Sequence, residues 1–157
     1  MEMWEYNRSA VGTLVEHSTL FTLQAKMNST GAETAVEEFI RVLDRVEAQK
    51  RLSMTYNRGK EMVLHEILTA NTGVKVYFAD PHGPWQRGIN ENTNGLIRQF
   101  LPKGEDLSVY SQQELDKYAW LFNARPRKSL GWKCPAELFL PDFDFVKYYS
   151  KFFALRC

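Results

Sequence analysis

Alternating apolar and polar residues open the chain. Residues 9–15 and 20–25 each alternate with a period of two, and the polar group Glu16-His17-Ser18 separates them. Strict alternation over several residues is typical of a half-buried β-strand. The pattern therefore predicts a β-hairpin over residues 9–27.

A helical period follows the hairpin. Apolar residues recur every three or four positions over residues 36–46, and charged residues occupy the other face, as in an amphipathic helix. Ser29 or Thr30 is the predicted N-terminal cap, and Glu33 lies three residues after Thr30, in the spacing of a capping box. We expect this helix to run to about Ala48.

Strands and helices alternate through the middle of the chain. Residues 52–56 and 74–79 have the composition of strands. The helix predicted between them stops at Gly73, and its inward residues are Met62, Val63, Ile67 and Leu68. Such alternation implies parallel strands with crossover helices, so the predicted fold class is α/β with a mixed sheet.

The second half of the chain is predicted to be mainly helical. Residues 80–88 form a loop by their proline and glycine content, and helices are predicted over residues 89–100 and 111–123. Ser111 and Glu114 have capping-box spacing, and Pro135 opens a last short helix. Four aromatic residues are predicted to be buried, namely Trp120, Phe122, Trp132 and Phe139.

Composition narrows the class of protein. The chain has 157 residues, 44% hydrophobic and 25% charged, which is typical of one globular domain. It has no apolar run of the roughly 20 residues that span a bilayer, and no secretory signal pattern, so no membrane partner is expected. Its two cysteines, Cys134 and Cys157, favour a reducing cytoplasm. Because the net charge is only +1, any nucleic-acid surface must come from local patches.

Polar residues gather where the predicted strands end. Asn57 follows one strand, Asp80 follows the next, and Glu91 and Arg98 lie two turns apart on the helix beyond. Carboxylates beside a guanidinium suit a metal ion and a phosphodiester. The alternatives are a solvated helix face for Glu91 and Arg98, and a turn-capping role for Asp80.

Two further segments carry candidate interactions. Arg125, Arg127, Lys128 and Lys133 form a basic segment that either positions phosphates or is a solvated turn. Residues 141–157 are rich in phenylalanine and tyrosine, which predicts a tail that docks on the domain or forms a protomer interface. We therefore divide the chain into a domain of residues 1–140 and this tail.

Several short sequence motifs closely resemble those of one protein family. They are residues 9–16, Tyr56-Asn57-Arg58-Gly59-Lys60, Trp85-Gln86-Arg87-Gly88, Asn90-Glu91-Asn92 and Arg125-Pro126-Arg127-Lys128. The chain therefore resembles, over about residues 4–140, the integrase-core domain of bacterial insertion-sequence transposases of the insertion-sequence-thirty type.

The resemblance implies an RNase H-like fold and a reaction on DNA phosphodiesters. In the family two Asp and one Glu hold two Mg²⁺ ions, and Glu91 matches that Glu. Asn57 stands at the position of the second Asp, at the family's usual separation from Glu91. The first Asp belongs to a central Gly-Asp-Leu strand after a Trp-Glu pair; Trp4-Glu5 is present, but that strand is missing.

These departures predict weak or absent Mg²⁺ binding and no catalysis. The neutral amide of Asn57 cannot balance the charge of two divalent ions. Asp80 is a spare carboxylate, whereas Glu5 is expected at the frayed start of the chain. Without the central strand, either the hairpin changes register or the chain associates through exposed strand edges.

The resemblance also implies DNA contacts and partners. Lys60, Trp85, Arg87 and Arg98 would surround the cleft, and the DNA partner in the family is the end of the insertion element. The expected protein partner is a second copy or a full-length transposase, in a bacterial, nucleoid-associated setting. The predicted function is DNA transposition and integration with catalysis lost; the alternatives are a DNA-binding or oligomerisation fragment that modulates a full-length transposase, and a decayed gene product.

Overall fold

The computed structural model describes residues 3–6, 9–28, 31–56, 64–78, 88–102, 104–140 and 142–144. Five strands and five helices follow one another in the order β1 (Met3–Tyr6), β2 (Ser9–Val15), β3 (Thr22–Met27), α1 (Ala32–Leu43), β4 (Ser53–Tyr56), α2 (His65–Thr72), β5 (Lys75–Phe78), α3 (Gly88–Ile97), α4 (Gln112–Asn123) and α5 (Pro135–Phe139). The predicted mixed α/β class is confirmed, and no helix in the described ranges is long and apolar enough to cross a membrane.

The predicted hairpin forms the larger sheet. β2 pairs with β3 from Ala10↔Met27 to Val15↔Thr22, and β1 pairs with the other edge of β2. All three strands are antiparallel. The pairing of Glu5 with Ala10 places Glu5 inside β1, so the prediction of a frayed start is wrong.

The hairpin turn is held by the carboxylate of Glu16. This carboxylate accepts hydrogen bonds from Ser18 N at 3.0 Å, Thr19 N at 2.7 Å and Thr19 Oγ1 at 2.6 Å. Partial burial raises the pKa of Glu16, but the hydrogen bonds from Thr19 and Ser18 outweigh it and leave the pKa below its ordinary value. The turn is therefore organised around an ionised side chain.

β4 and β5 form a second, parallel sheet. Their register runs from Ser53↔Lys75 to Tyr56↔Phe78, at the positions predicted for strands. Among the described strands no ladder joins this sheet to the hairpin sheet. The register of β1 stops at Met3↔Gly12, so residues 13–15 of β2 have no described strand on that edge.

A cavity of about 330 Å³ separates the two sheets at this place. Leu14 and Val15 of β2 line one side, and the stretch from Leu52 to Thr55 lines the other. β1 has four residues and pairs only with residues 9–12 of β2.

Two apolar clusters cover opposite faces of the hairpin sheet. The first joins β3 to α1, α2 and β4, with Phe39, Met27 and Leu68 fully buried. The second joins β2 to the helical half of the chain and holds Val11, Ile97, Leu101, Leu107, Leu115 and Phe122. The sheet thus lies between two helical layers, as is general for α/β domains.

Gly12 shows how closely the first cluster approaches the sheet. A Cβ at this position would lie 2.5 Å from Met27 Cε and 2.8 Å from the Phe39 ring. Only glycine leaves room for these two side chains against the strand, because contacts under 3 Å require the neighbours to move.

Helix boundaries follow the sequence only in part. The capping box at Ser111 is confirmed: Ser111 Oγ accepts from Glu114 N at 3.2 Å, and Glu114 Oε2 accepts from Ser111 N at 2.8 Å. Gly73 ends α2 in the left-handed region, as predicted. The predicted cap of α1 is wrong, because Gly31 occupies the N-cap without a side-chain bond, and α1 ends at Leu43 rather than near Ala48.

The predictions of buried side chains are confirmed at some positions and wrong at others. Phe122 is buried, but Trp132 is 69% exposed and Ile67 is 46% exposed, so both predicted inward positions are wrong. Residues 62 and 63 lie outside the described ranges. At the start of the aromatic tail, Phe143 stacks on Trp120 with ring centroids 6.1 Å apart, an intramolecular contact of the predicted kind.

Candidate nucleic-acid interface

The two parallel strands β4 and β5 end at the same edge of their sheet. Because Tyr56 pairs with Phe78, the carboxyl ends of β4 and β5 lie side by side. Asn57 and Asp80 follow these ends, where reactive groups gather in open α/β sheets. Asn57, Asp80 and the predicted DNA contacts Lys60, Trp85 and Arg87 themselves lie outside the described residues.

The second predicted catalytic position, Glu91, is on α3. Glu91 lies in its first turn, and Arg98 follows directly after its last residue and is exposed. Ile97 is 1% exposed and packs in the same cluster as Val11 of β2. The helix that carries Glu91 is therefore fixed at its C-terminal end to the hairpin sheet.

The donor set at the matched positions does not fit a two-ion metal site. It supplies one carboxylate, Glu91, and one neutral amide, Asn57, where two Mg²⁺ ions require several anionic oxygens. Within the described ranges there is also no group of three His, Cys, Asp or Glu side chains that could hold a metal ion.

Two amide side chains of α4 bind the free edge of β3. Asn123 Nδ2 donates to Thr22 O and Asn123 Oδ1 accepts from Thr22 N, both at 2.8 Å. Three turns earlier, Gln112 Nε2 donates to Gln24 O at 2.7 Å and Gln112 Oε1 accepts from Lys26 N at 2.8 Å. These bonds satisfy edge groups that would otherwise be open, which is how proteins protect a sheet edge.

Asn123 and Cys134 anchor the two ends of the basic segment, residues 125–133. Asn123 is 2% exposed and immediately precedes Ala124, whose carbonyl accepts from Cys134 Sγ at 3.2 Å. Burial, and then the charge of Glu137, raise the pKa of the Cys134 thiol, so this donor stays protonated. The segment thus leaves and rejoins the core at two anchored, neighbouring residues.

Backbone hydrogen bonds close the basic segment into a compact loop. Arg127 N donates to Lys133 O at 3.0 Å, and Trp132 N donates to Arg127 O at 2.9 Å. A 3-10 turn, Lys128–Leu130, lies between them, and Gly131 follows in the left-handed region with φ 63°. The backbone of this loop therefore has a defined conformation.

The cations of this loop have no anionic partner among the described residues. None of the ion pairs in those ranges includes Arg125, Arg127, Lys128 or Lys133. Arg127 Nε is buried and has no hydrogen-bond partner in the ranges that the structure describes. Burial lowers the pKa of Arg127, and the charge of Arg125 lowers it further, as expected for cations held together without a carboxylate.

Arg98 and the basic segment leave the core at neighbouring points. Phe100 and Phe122 contact edge to face with ring centroids 5.4 Å apart, and both belong to the cluster that holds Ile97. Arg98 follows Ile97 directly, and Arg125 comes three residues after Phe122. Arg98 and the basic segment thus both follow residues of one apolar cluster in the sequence.

Sequence reasoning missed three residues of this region. Gln112 and Asn123 are polar residues on a helix face, and nothing in their spacing indicates that they bind a strand edge. Trp132 directly follows Gly131, and a glycine at this position indicates a turn, from which an exposed rather than a buried ring could have been predicted.

Comparison with known proteins identifies relatives among bacterial transposases. The chain is 53% identical over 132 residues to the transposase for insertion sequence element IS1086 of Cupriavidus metallidurans, covering 84% of this chain and 39% of that protein. It is 42% identical over 130 residues to transposase InsI for element IS30A of Escherichia coli K12, covering 83% and 34%. The chain therefore spans little more than a third of the length of these relatives. No protein-family model matches the sequence.

Solved structures show the same fold at low sequence identity. The catalytic core domain of BIV integrase superposes with a TM-score of 0.66 at 17% identity, over 94% of this chain and 95% of that one. A chain of the simian T-cell lymphotropic virus intasome, in complex with PP2A regulatory subunit B56 gamma, gives a TM-score of 0.61 at 12% identity, over 78% and 46%. At these identities the likeness concerns fold, and it confirms the predicted integrase-core, RNase H-like class.

Proposed function

We propose that this chain, a homologue of insertion-sequence-thirty transposases with the fold of an integrase catalytic core, holds DNA through its phosphates without cutting it. The observation that carries the proposal is the anchored basic loop, whose cations lack carboxylate partners in the described chain. Unpaired cations on a fixed backbone suit phosphate oxygens, because little conformational freedom is lost on binding.

DNA binding here is directed to the backbone rather than to bases. Arg125 and Lys128 are exposed and would contact phosphates, and Arg98 would extend the contact from the end of α3. Lys60, Arg87 and Trp85 complete the contacts that we propose around the cleft. Contacts of this kind release counterions, so the affinity should fall steeply with salt and depend little on sequence.

The proposed loss of catalysis rests on the donor chemistry. Glu91 and Asn57 occupy two of the three positions that bind metal in the family, but only Glu91 carries a charge. A single carboxylate and an amide bind Mg²⁺ weakly, since this ion is held chiefly by carboxylates. We propose that Mg²⁺ binding is too weak to support hydrolysis or strand transfer.

A second candidate function is association with another transposase chain. Residues 13–15 of β2 have no described strand on one side, and unpaired strand edges are templates for pairing with another polypeptide. Such pairing would let this chain modulate a full-length transposase. Light scattering of this chain with and without a full-length homologue tests this candidate, and an unchanged mass would exclude it.

Duplex binding at several salt concentrations tests the main proposal. The probe is a fluorescein-labelled random duplex, and the variants are Arg125→Gln and Lys128→Gln. Each variant should weaken binding and reduce the slope of log affinity against log salt by about 0.9 per lost phosphate contact. Lys117→Gln, an exposed lysine of α4 outside the loop, is the matched control and should leave both quantities unchanged. Equal affinities in all four proteins would refute the proposal.

A further inference from the structure

Trp132 is held in a conformation that a tryptophan seldom adopts. Its φ is 66°, in the left-handed region, and its side chain is 69% exposed. A bulky residue in this region is sterically unfavourable, and glycine or asparagine would be expected instead. The hydrogen bond from Trp132 N to Arg127 O, together with the closed loop, keeps the residue in place.

The exposed ring has no aromatic partner in the described chain. The tryptophan that pairs with other rings is Trp120, which contacts Phe21 and Phe143. Packing therefore gives no reason for a large flat apolar surface at this position. Residues in strained backbone conformations cluster at functional sites, where the strain serves binding.

The surroundings of Trp132 are cationic. The residue lies in one closed loop with Arg127, Lys128 and Lys133, and its N–H is bonded to the carbonyl of Arg127 itself. Arg127 Nε, buried and without a hydrogen-bond partner among the described residues, leaves a donor at the base of the loop. An exposed aromatic face beside unpaired cations is the combination that binds single-stranded nucleic acid, through base stacking and phosphate contacts.

We infer that Trp132 is a stacking platform for an unpaired DNA base, whose flanking phosphates are held by Arg127 and Lys128. This inference rests on the proposed DNA binding and specifies its substrate class as a single strand or an opened end. In an intact duplex the faces of the bases are covered by their neighbours, so the ring of Trp132 can reach a base face only where the stack is interrupted.

Two single-stranded probes separate the contribution of base stacking to the affinity from the contribution of the phosphate charges. One probe is a labelled oligothymidylate of about 15 nucleotides, and the other has the same number of phosphodiesters but no bases. The chain should bind the base-containing strand about tenfold more tightly, since one stacked base contributes that much or more. Trp132→Ala should bind both strands alike, with unchanged affinity for the abasic strand, and Trp132→Phe should keep most of the preference.

A glycine variant separates binding from folding. Trp132→Gly relieves the strain at φ 66°, so its urea midpoint should be equal to or higher than that of the parent chain while its preference for bases is lost. Val109→Ala removes another exposed apolar side chain, 72% exposed and outside the loop, and should change neither quantity. A base preference that survives in Trp132→Ala would overturn the inference.

The remaining outcomes are also decisive. If the parent chain binds the two strands equally, DNA binding stands and the stacking role is wrong. If it binds neither strand nor duplex, the proposed function fails as well. Tighter binding to an oligouridylate of equal length than to the oligothymidylate would assign the site to RNA and overturn its assignment to DNA.

Discussion

Asn123 illustrates at the residue scale how one side chain positions the basic loop. Its amide pairs with both backbone groups of Thr22, much as another strand would, and the loop begins two residues later. In the sequence Asn123 lies two residues before Arg125, but only the structure shows that its side chain faces the sheet. The side chain therefore acts on DNA binding through the position of the loop.

Asn123→Leu should lower the free energy of unfolding by about 2–3 kcal/mol, because a buried N–H and C=O of Thr22 would lose their partners. Urea denaturation measures this change. Asn71→Leu, at an exposed position of α2, is the matched control and should stay within about 0.5 kcal/mol of the parent. Similar effects in the two variants would show that the Asn123 pairing contributes little.

Gln24 differs from Asn123 in that its buried amide is not hydrogen-bonded within the described residues. Its side chain is 1% exposed, and neither its amide nitrogen nor its oxygen has a hydrogen-bond partner in the described part of the chain. Gln24→Met keeps the size and removes the unpaired polar atoms, so the free energy of unfolding should rise by about 1 kcal/mol. Thermal and urea denaturation measure the change, and destabilisation by this substitution would mean that the amide does find a polar partner.

At the scale of helices and strands, the sequence correctly predicts those features that depend on residues close together in the chain. The hairpin, β4, β5 and the capped start of α4 are all confirmed, because alternation and capping residues act within a few positions. The predicted cap of α1 is not confirmed, since its N-cap is Gly31, which has no side chain to accept a hydrogen bond. Periodicity also cannot tell that Ile67 faces solvent, because exposure depends on which elements pack against α2.

The hairpin turn should make stability depend on pH. The pKa of Glu16 is lowered in the folded state, so its carboxylate stabilises the fold above the unfolded pKa, and this contribution is lost as pH falls through the folded value. Glu16→Gln should lower the free energy of unfolding by about 1 kcal/mol at pH 7, with the difference closing in acid. Denaturation from pH 7 to pH 3 measures it. Glu37→Gln, exposed on α1, should show no such closing difference.

The gap between the two sheets predicts the effect of restoring a strand. Inserting a Gly-Asp-Leu-type strand after Glu5 should fill the cavity, join β2 to β4 and raise the urea midpoint. Amide exchange at Leu14 and Met54, on either side of the cavity, should slow. An insertion of equal length rich in glycine and serine is the control, and equal exchange rates with both insertions would contradict this account of the gap.

For the whole molecule, three features together define the proposed activity. The integrase-core fold and the anchored basic loop suit DNA, while the donor set of Asn57 and Glu91 does not suit two metal ions. The fold class could be predicted from the sequence because the resemblance to the family extends over about residues 4–140. The stacking position of Trp132 could not, because its exposure and strain arise from how the loop closes.

The most direct test of this account is nicking of supercoiled DNA in Mg²⁺ or Mn²⁺ by four proteins. They are the parent chain, Asn57→Asp, the Gly-Asp-Leu insertion and the two changes combined, with Glu91→Ala as the background control. We predict no nicking above background for the parent or for Asn57→Asp, because the first acidic position is absent in both, and nicking only in the combined variant. Metal-dependent nicking by the parent chain that disappears in Glu91→Ala would contradict the central claim.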